Sequence, residues 1–326
     1  MSDISGPEED EVVIDGTVRG TLAAPEFRDQ VRKNLEEYSR VTVKDCTITV
    51  EDDGYIDLGN MAYGHADVEF DNCNFLAPLV LSGSDFARVS FKNCEFALVD
   101  PDEGGDGKRH TSRCSVLLAD MRARGVDFRF NEEISSSLKR VFSLDAHGCE
   151  VSGTFRVHRG KHINPSPLHL SLESMRIGQA GFGGDLLIDD DTNGNLILHM
   201  NRVRVRGDFI VVGNEATNKT RVALNASDLR VAEEMRLRNV TFLNVEHTPQ
   251  VGPSENRPAV NLTRASIGRL VLHEKVEDLF PKNAAGRAIK EHHFNSRNQL
   301  YSNAPGLGGI SVDRVGFLGD TLTREK

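Results

Sequence analysis

One spacing recurs along most of this chain and limits what it can fold into. A large apolar residue is followed three positions later by a smaller one, and two positions after that by a second large one, as in Phe70/Cys73/Phe75. The spacing fits neither the 3.6-residue period of a helix nor the alternation of a long strand. It predicts short extended steps that each end in a corner and stack about 4.8 Å apart. The other examples are Val43/Cys46/Ile48, Leu58/Met61/Tyr63, Leu81/Ser84/Phe86, Phe91/Cys94/Phe96, Ala123/Val126/Phe128, Leu172/Met175/Ile177, Met200/Val203/Val205, Leu224/Ser227/Leu229, Leu237/Val240/Phe242 and Leu262/Ala265/Ile267.

This repeat predicts an all-β chain, a right-handed parallel β-solenoid, over residues 41–273. The pattern is cleanest in residues 66–96, which contain DNCNF, SGSDF and KNCEF. This stretch resembles the pentapeptide-repeat proteins, whose four-sided right-handed β-helix has a small residue two positions before each large central one. Later intervals are longer, with 28 residues from Leu172 to Met200 and 38 from Leu224 to Leu262. They require either insertions or a three-sided coil.

The ends of such a stack must be closed, because the last strand otherwise exposes unpaired backbone groups and the open core. Residues 25–40 place Phe27, Val31, Leu35 and Tyr38 on one helical face, which predicts an N-terminal capping helix. Residues 1–24 before it are expected to be an acidic, disordered leader. Residues 274–326 are expected to hold a second helix, at 284–301, and a Gly-rich tail.

The charge of the chain is concentrated near its start. The net charge is −10, and residues 1–20 hold six acidic residues against Arg19 alone, which gives −5. The sequence shows neither a run of about 18 apolar residues nor a secretory signal. We therefore expect a cytoplasmic protein with no membrane span. We also expect no cofactor, because the sequence has no nucleotide-binding or other cofactor motif.

The five cysteines have no paired CxxC spacing and no histidines at zinc-binding distances. Cys46, Cys73 and Cys94 each occupy the small position of a repeat. We expect them to be buried, reduced and packed as small apolar residues.

Acidic residues between two repeats give two candidate sites. Asp189, Asp191 and Asn193 precede Gly194 as in the opening of a calcium-binding loop, but the twelfth position is Met200 instead of the required glutamate. Turn residues in a polar connection explain the same letters. Asp185, Asp189, Asp190 and Asp191 could also supply an acid and a base for sugar cleavage.

Arginine provides the third candidate, since the chain has 28 arginines and 11 lysines. Arg202, Arg204 and Arg206 alternate with valines, so we expect all three to point outward from one strand. Arg176 occupies the same place in its repeat as Arg204, and Arg230, Arg236 and Arg238 follow soon after. Stacked guanidinium groups would bind an anionic polymer or an acidic protein. The alternative is a solvated face with ion pairs to Asp208, Asp228, Glu233 and Glu234.

Three functions follow from these features. The first is a non-catalytic scaffold that presents a ladder surface to a protein or anionic partner, with self-association through the solenoid ends as a further option. The second is a β-helix that binds or cleaves polysaccharide. The third is implied by the resemblance, since some pentapeptide-repeat proteins imitate DNA and bind a type II topoisomerase. Residues 151–280 carry 16 Lys and Arg against 15 Asp and Glu, which is a poor imitation of DNA.

Overall fold

The computed structural model describes residues 15–51, 54–97, 114–130, 142–160, 167–179, 183–192, 194–214, 220–242, 260–262, 264–272, 293–295, 299–301, 310–311 and 316–317. These residues are mostly β-strand, with one α-helix, α1 (Ala24–Glu37). The strands are β1 (Asp15–Ala23), β2 (Arg40–Thr49), β3 (Ile56–Asp57), β4 (Ala62–Asp71), β5 (Asn74–Phe75), β6 (Leu79–Val80), β7 (Asp85–Lys92), β8 (Glu95–Phe96), β9 (Val116–Leu117), β10 (Arg122–Phe130), β11 (Phe142–Asp145), β12 (Glu150–Val151), β13 (Phe155–Arg159), β14 (Leu168–Ser171), β15 (Arg176–Ile177), β16 (Leu186–Asp190), β17 (Asn195–His199), β18 (Arg204–Val205), β19 (Phe209–Gly213), β20 (Thr220–Asn225), β21 (Arg230–Arg238), β22 (Val240–Phe242), β23 (Val260–Asn261), β24 (Ser266–Leu272), β25 (His293–Asn295), β26 (Gln299–Tyr301), β27 (Ile310–Ser311) and β28 (Gly316–Phe317).

Two long parallel sheets, of 16 and 10 strands, contain almost all of these strands. Through the middle of the chain, each strand pairs with the strand three elements further on. This rule gives three ladders: the short ladder through β12, β15 and β18, the long ladder through β13, β16 and β19, and the third ladder through β14, β17 and β20. In β4, β7 and β10 a single bent strand contributes to both the short and the long ladder.

The number of strand segments in each repeat unit changes along the chain. Near the N-terminus, β5 and β8 form a fourth set of segments that continues from the end of β2. From β13 to β20, the described residues supply three segments per unit. The sequence leaves two explanations open for the longer intervals, insertions and a three-sided coil. Three segments per unit are the number that a three-sided coil would have.

Alternate residues of every ladder enter one continuous apolar core. Its N-terminal half is built from phenylalanines that stack in register, with ring centroids 4.8 Å apart for Phe70 and Phe91 and 4.5 Å apart for Phe91 and Phe128. These separations match the spacing of neighbouring strands, so in-register stacking requires no adjustment of the backbone. The cysteines Cys46, Cys73 and Cys94 are buried beside this stack, and their predicted burial is confirmed.

A tight turn with a left-handed residue precedes each segment of the short ladder. In all but the first of these turns, the residue after the left-handed one donates its amide to a carbonyl three positions back, as from Met121 to Leu118, whereas Met61 donates to the Ser84 hydroxyl. The left-handed conformation favours Gly, Asn and Asp, and most of the turns carry one of them. The left-handed residues of these turns are Asn60, Gly83, Asp120, Gly148, Ser174, Arg202, Asp228 and Arg264, with φ between 55° and 69°.

Helix α1 packs across the N-terminal strands of both sheets. It contacts β1, β2 and β3, and it buries Ala24, Phe27, Val31 and Leu35. The helix lies where the sequence predicts one over residues 25–40, although the chain is already in β2 at Arg40. Its cap position at Tyr38 is extended, which ends the helix.

Three expectations about the ends of the chain need correction. Residues 15–23 of the expected leader form β1, which pairs in parallel with β2 and buries Val18 and Leu22. The helix expected over 284–301 is wrong at its described residues, which form the antiparallel pair β25 and β26. Phe294 and Tyr301 in these two strands are aromatic, and aromatic residues favour strands.

The expected boundary at residue 273 is also too early. Strands β27 and β28 lie in the Gly-rich tail, and they pair in parallel with β23 and β24. The two ladders therefore continue past the last recognisable repeat, where two-residue strands leave too few positions for a spacing to be visible.

Two of the predicted repeats are placed in the wrong register. The turn predicted at Leu224/Ser227/Leu229 is formed by Ala226 and Leu229, and Ala123/Val126/Phe128 joins the end of the short ladder to the long one. Leu224 and Ala226 both point into the core, so the size of the residue misidentifies the one that begins the turn.

Candidate functional site

The outward positions of the short ladder form one column of charged residues. Through paired strands, Asp85, Arg122, Glu150, Arg176, Arg204 and Arg230 lie in register, one per repeat unit. Signs alternate over the first three units, and Glu150 pairs with the arginines on both sides, at 3.6 Å from Arg122 and 2.7 Å from Arg176. The last three members are all arginines.

Like charges directly opposite each other destabilise a sheet. Arg176, Arg204 and Arg230 are exposed neighbours at the strand spacing of about 4.8 Å. Within the described part of the chain, neither Arg204 nor Arg230 forms an ion pair within 4 Å. The long ladder is different, because there Lys92 and Arg40 both pair with Glu69, and Lys44 pairs with Asp71.

The turns beside this column add two more arginines. Arg202 and Arg264 both hold the left-handed position, with φ of 60° and 57°. Arg264 makes a bidentate contact with Asp228, with Nε to Oδ1 at 2.7 Å and Nη2 to Oδ2 at 2.5 Å. The hydrogen bonds from Arg264 lower the pKa of Asp228, and the charges of Arg202 and Arg230 act in the same direction.

Arg206 directly follows β18 in the chain and is a further arginine of this region. It is exposed, and its Cβ lies close to Gly178, where any added side chain would collide with it. We use the name arginine face for the six exposed arginines of this region, namely Arg176, Arg202, Arg204, Arg206, Arg230 and Arg264.

The predicted binding residues Arg176, Arg202, Arg204 and Arg206 are all exposed, and Arg176 and Arg204 are in register, but the four do not belong to one strand. Only Arg204 belongs to β18, which is two residues long, whereas Arg202 is in the preceding turn and Arg206 in the following bend. Arg264 was not predicted. The sequence could have pointed to Arg264 through its position, because it stands two residues before an outward strand residue, as Arg202 does.

Two of the four acids proposed as ion-pair partners do pair with arginines, Asp228 with Arg264 of the arginine face and Glu234 with arginines outside it. Glu234 is buried and bonds to Arg236 at 2.7 Å and to Arg269. Asp208 accepts the backbone amide of Glu234 at 3.0 Å. Arg236 and Arg238 lie in the long ladder and are not part of the arginine face.

The aspartate run does not converge on one point. Asp190 is fully buried and holds Arg159 through two hydrogen bonds, at 2.9 Å and 2.6 Å. Asp189 points outward and contacts His158 Nδ1 at 2.9 Å, and Asp185 accepts the amide of Asp208. An acid–base pair for sugar cleavage needs two carboxyl groups that face one bond, and the buried Asp190, which is bonded to Arg159, cannot supply one of them.

The calcium-loop candidates that the structure describes, Asp189 and Asp191, do not form a metal centre with other described side chains. Asp189 and Asp191 are separated by the buried Asp190, and Asn193 lies outside the described residues. A search of the described residues for three or more His, Cys, Asp or Glu side chains able to share a metal ion finds none.

Comparisons with known proteins add no relative. No protein-family model matches this chain, and neither a curated protein nor a solved structure is significantly similar to it. Among the described residues, no helix is both long and apolar enough to cross a membrane.

Proposed function

We propose that this protein is a non-catalytic binding scaffold, a right-handed parallel β-solenoid that holds an anionic partner on its arginine face. The solenoid is supported by the pairing of each strand with the strand three elements further on. Parallel connections of this kind are right-handed in nearly all proteins. The fourth segment near the N-terminus agrees with the four-sided coil of the pentapeptide-repeat proteins, which residues 66–96 resemble.

The observation that carries the binding proposal is the in-register stack of Arg176, Arg204 and Arg230. Such a stack costs stability unless an anion lies across it. Arginine suits this task because its planar guanidinium donates two parallel hydrogen bonds to a carboxylate or a phosphate. The left-handed arginines Arg202 and Arg264 also support a binding role, since Gly or Asn would be less strained in those turns.

Binding of fluorescein-labelled poly-L-glutamate, followed by anisotropy, tests the proposal. We expect Arg204→Gln with Arg230→Gln to weaken binding by about tenfold or more, which corresponds to about 1.4 kcal/mol. We also expect wild-type binding to weaken as salt rises, because screening acts on exposed charges.

Arg129→Gln is the matched control, because Arg129 is an exposed strand arginine that pairs with Asp127 at 2.6 Å. It should bind the probe as the wild type does. Equal binding by wild type and the double variant at low salt would refute the arginine face as the binding surface.

A further inference from the structure

The chain itself contains a segment with the charge that the arginine face would bind. Residues 1–14 include five carboxylates, Asp3, Glu8, Glu9, Asp10 and Glu11, and the first basic residue of the chain is Arg19. Arg176 and Arg264 already pair with Glu150 and Asp228, so four further arginines of the face stand against five carboxylates in a single short segment. By contrast, Glu69 and Asp71 in the described long ladder are already paired with basic side chains.

The distance from β1 to Arg204 and Arg230 determines whether this segment can bind the arginine face of its own chain. The strand that follows it, β1, is separated from β18 by seven strand spacings and from the first residues of β21 by eight. At about 4.8 Å per spacing, Arg204 and Arg230 lie about 34 Å and 38 Å along the stack from Asp15.

Even a fully extended chain, at about 3.5 Å per residue, carries Glu8 only about 25 Å from Asp15 and Glu11 about 14 Å. Asp3 alone of the five reaches far enough. The acidic run at residues 8–11 therefore cannot engage Arg204 and Arg230 of the same chain as a group.

We propose that the arginine face of one copy binds the acidic segment 1–14 of a second copy, so that the protein associates with itself. This inference rests on the proposed function, since it names the partner of the same surface. A reciprocal exchange between two copies satisfies both arginine faces in a closed twofold dimer. Because the contact is made by exposed charges, it is sensitive to salt.

Sedimentation equilibrium of the full chain at low and high salt tests this proposal. We expect a dimer at about 50 mM salt that dissociates toward monomers at about 500 mM, where the screening length is much shorter. Two variants should be monomeric at low salt: Arg204→Gln with Arg230→Gln, and Glu8→Gln, Glu9→Gln, Asp10→Asn with Glu11→Gln. Arg122→Gln is the control, because Arg122 lies in the same column but outside the arginine face, and it should leave the dimer intact.

Mixing the two monomeric variants separates association between copies from contact within a copy. One variant retains the acidic segment and the other retains the arginine face, so the mixture should form a complex that contains one copy of each. A monomeric wild type at low salt, or a dimer that survives neutralisation of residues 8–11, would overturn the inference.

The poly-L-glutamate assay distinguishes this failure from that of the proposed function. If the wild type is monomeric but still loses the probe on Arg204→Gln with Arg230→Gln, the arginine face binds acidic polymers other than a second copy. If those substitutions leave probe binding unchanged, both proposals fail. When both proposals hold, the variant neutralised at residues 8–11 should bind the probe more tightly than the wild type, because its arginine face is vacant.

Discussion

Arg202 and Arg264 each have a left-handed backbone conformation, which favours Gly or Asn over Arg. Non-glycine residues in this conformation cost about 1–2 kcal/mol, and Asn tolerates it better than Arg. We expect Arg202→Asn to raise the free energy of unfolding by about 0.5–1 kcal/mol, because the turn is kept and its strain is reduced. Urea denaturation measures the change.

Arg204→Asn is the control for this substitution, since it removes the same charge from an ordinary strand position. It relieves repulsion in the arginine stack but places Asn in a strand, where Asn is unfavourable, so its gain should be smaller than that of Arg202→Asn. A gain of stability in Arg202→Asn no larger than that in Arg204→Asn would contradict the assignment of strain to the turn.

His169 makes stability depend on pH. Burial lowers its pKa to about 4, and the nearby charge of His199 adds to this effect while Asp145 opposes it. Its Nε2 atom is buried without a hydrogen-bond partner among the described residues. The unfolded chain therefore binds a proton below about pH 6.5, whereas the folded protein does so only near pH 4.

The folded state consequently loses stability as pH falls through this window, by up to about 3 kcal/mol. We expect His169→Phe to remove this part of the loss between pH 7 and pH 4.5 in urea denaturation. The exposed His65 is the control, and His65→Gln should retain the full dependence. Identical pH profiles for wild type and His169→Phe would exclude His169 as the source.

At the level of the strands, β13 and β16 are joined by an ion pair in the middle of the core. Arg159 and Asp190 lie at the last positions of these strands, next to Phe130 of β10 and Gly213 of β19. Asp190 also accepts the Thr192 hydroxyl at 2.6 Å. Both side chains of the pair are buried, so the attraction between the two charges offsets part of their lost hydration.

We expect Asp190→Leu to destabilise the protein by about 3–5 kcal/mol, because it removes the carboxylate that accepts two hydrogen bonds from the buried Arg159 guanidinium. Arg159→Met combined with Asp190→Leu should recover most of that loss. Urea denaturation of the two variants measures the difference. A double variant that is as unstable as the single one would show that the pair contributes more than mutual charge compensation.

The elements also show which parts of the fold can be predicted from the sequence. The spacing around Phe70, Phe91 and Cys94 is visible because large and small residues occupy fixed positions of a bent strand. It fails at Leu224 and Ala226, where two successive inward residues are both apolar. The ion pair of Arg159 and Asp190 gives no local signal, because its members are 31 residues apart and meet only through strand pairing.

At the scale of the whole molecule, the alternating arginines of residues 202–206 are enough to predict an exposed basic surface. The stack that makes this surface unusual is not predictable from one segment, because Arg176, Arg204 and Arg230 become neighbours only through the ladder register. The same limit applies to β1, whose pairing with β2 depends on the intervening helix α1. Local pattern thus identifies the repeat, and long-range pairing determines the surface.

The phenylalanine stack makes the two halves of this molecule differ in mechanical strength. Strands in a ladder contact mainly their immediate neighbours, so each unit holds only the next, and opening can begin at the weaker end. Aromatic pairs add about 0.5–1.5 kcal/mol each beyond the area they bury, and the described pairs of two phenylalanines lie between Phe70 and Phe155. Under tension or in dilute denaturant the chain should therefore unzip from its aliphatic C-terminal half, with amides of β19 and β20 exchanging with deuterium before those of β4 and β7.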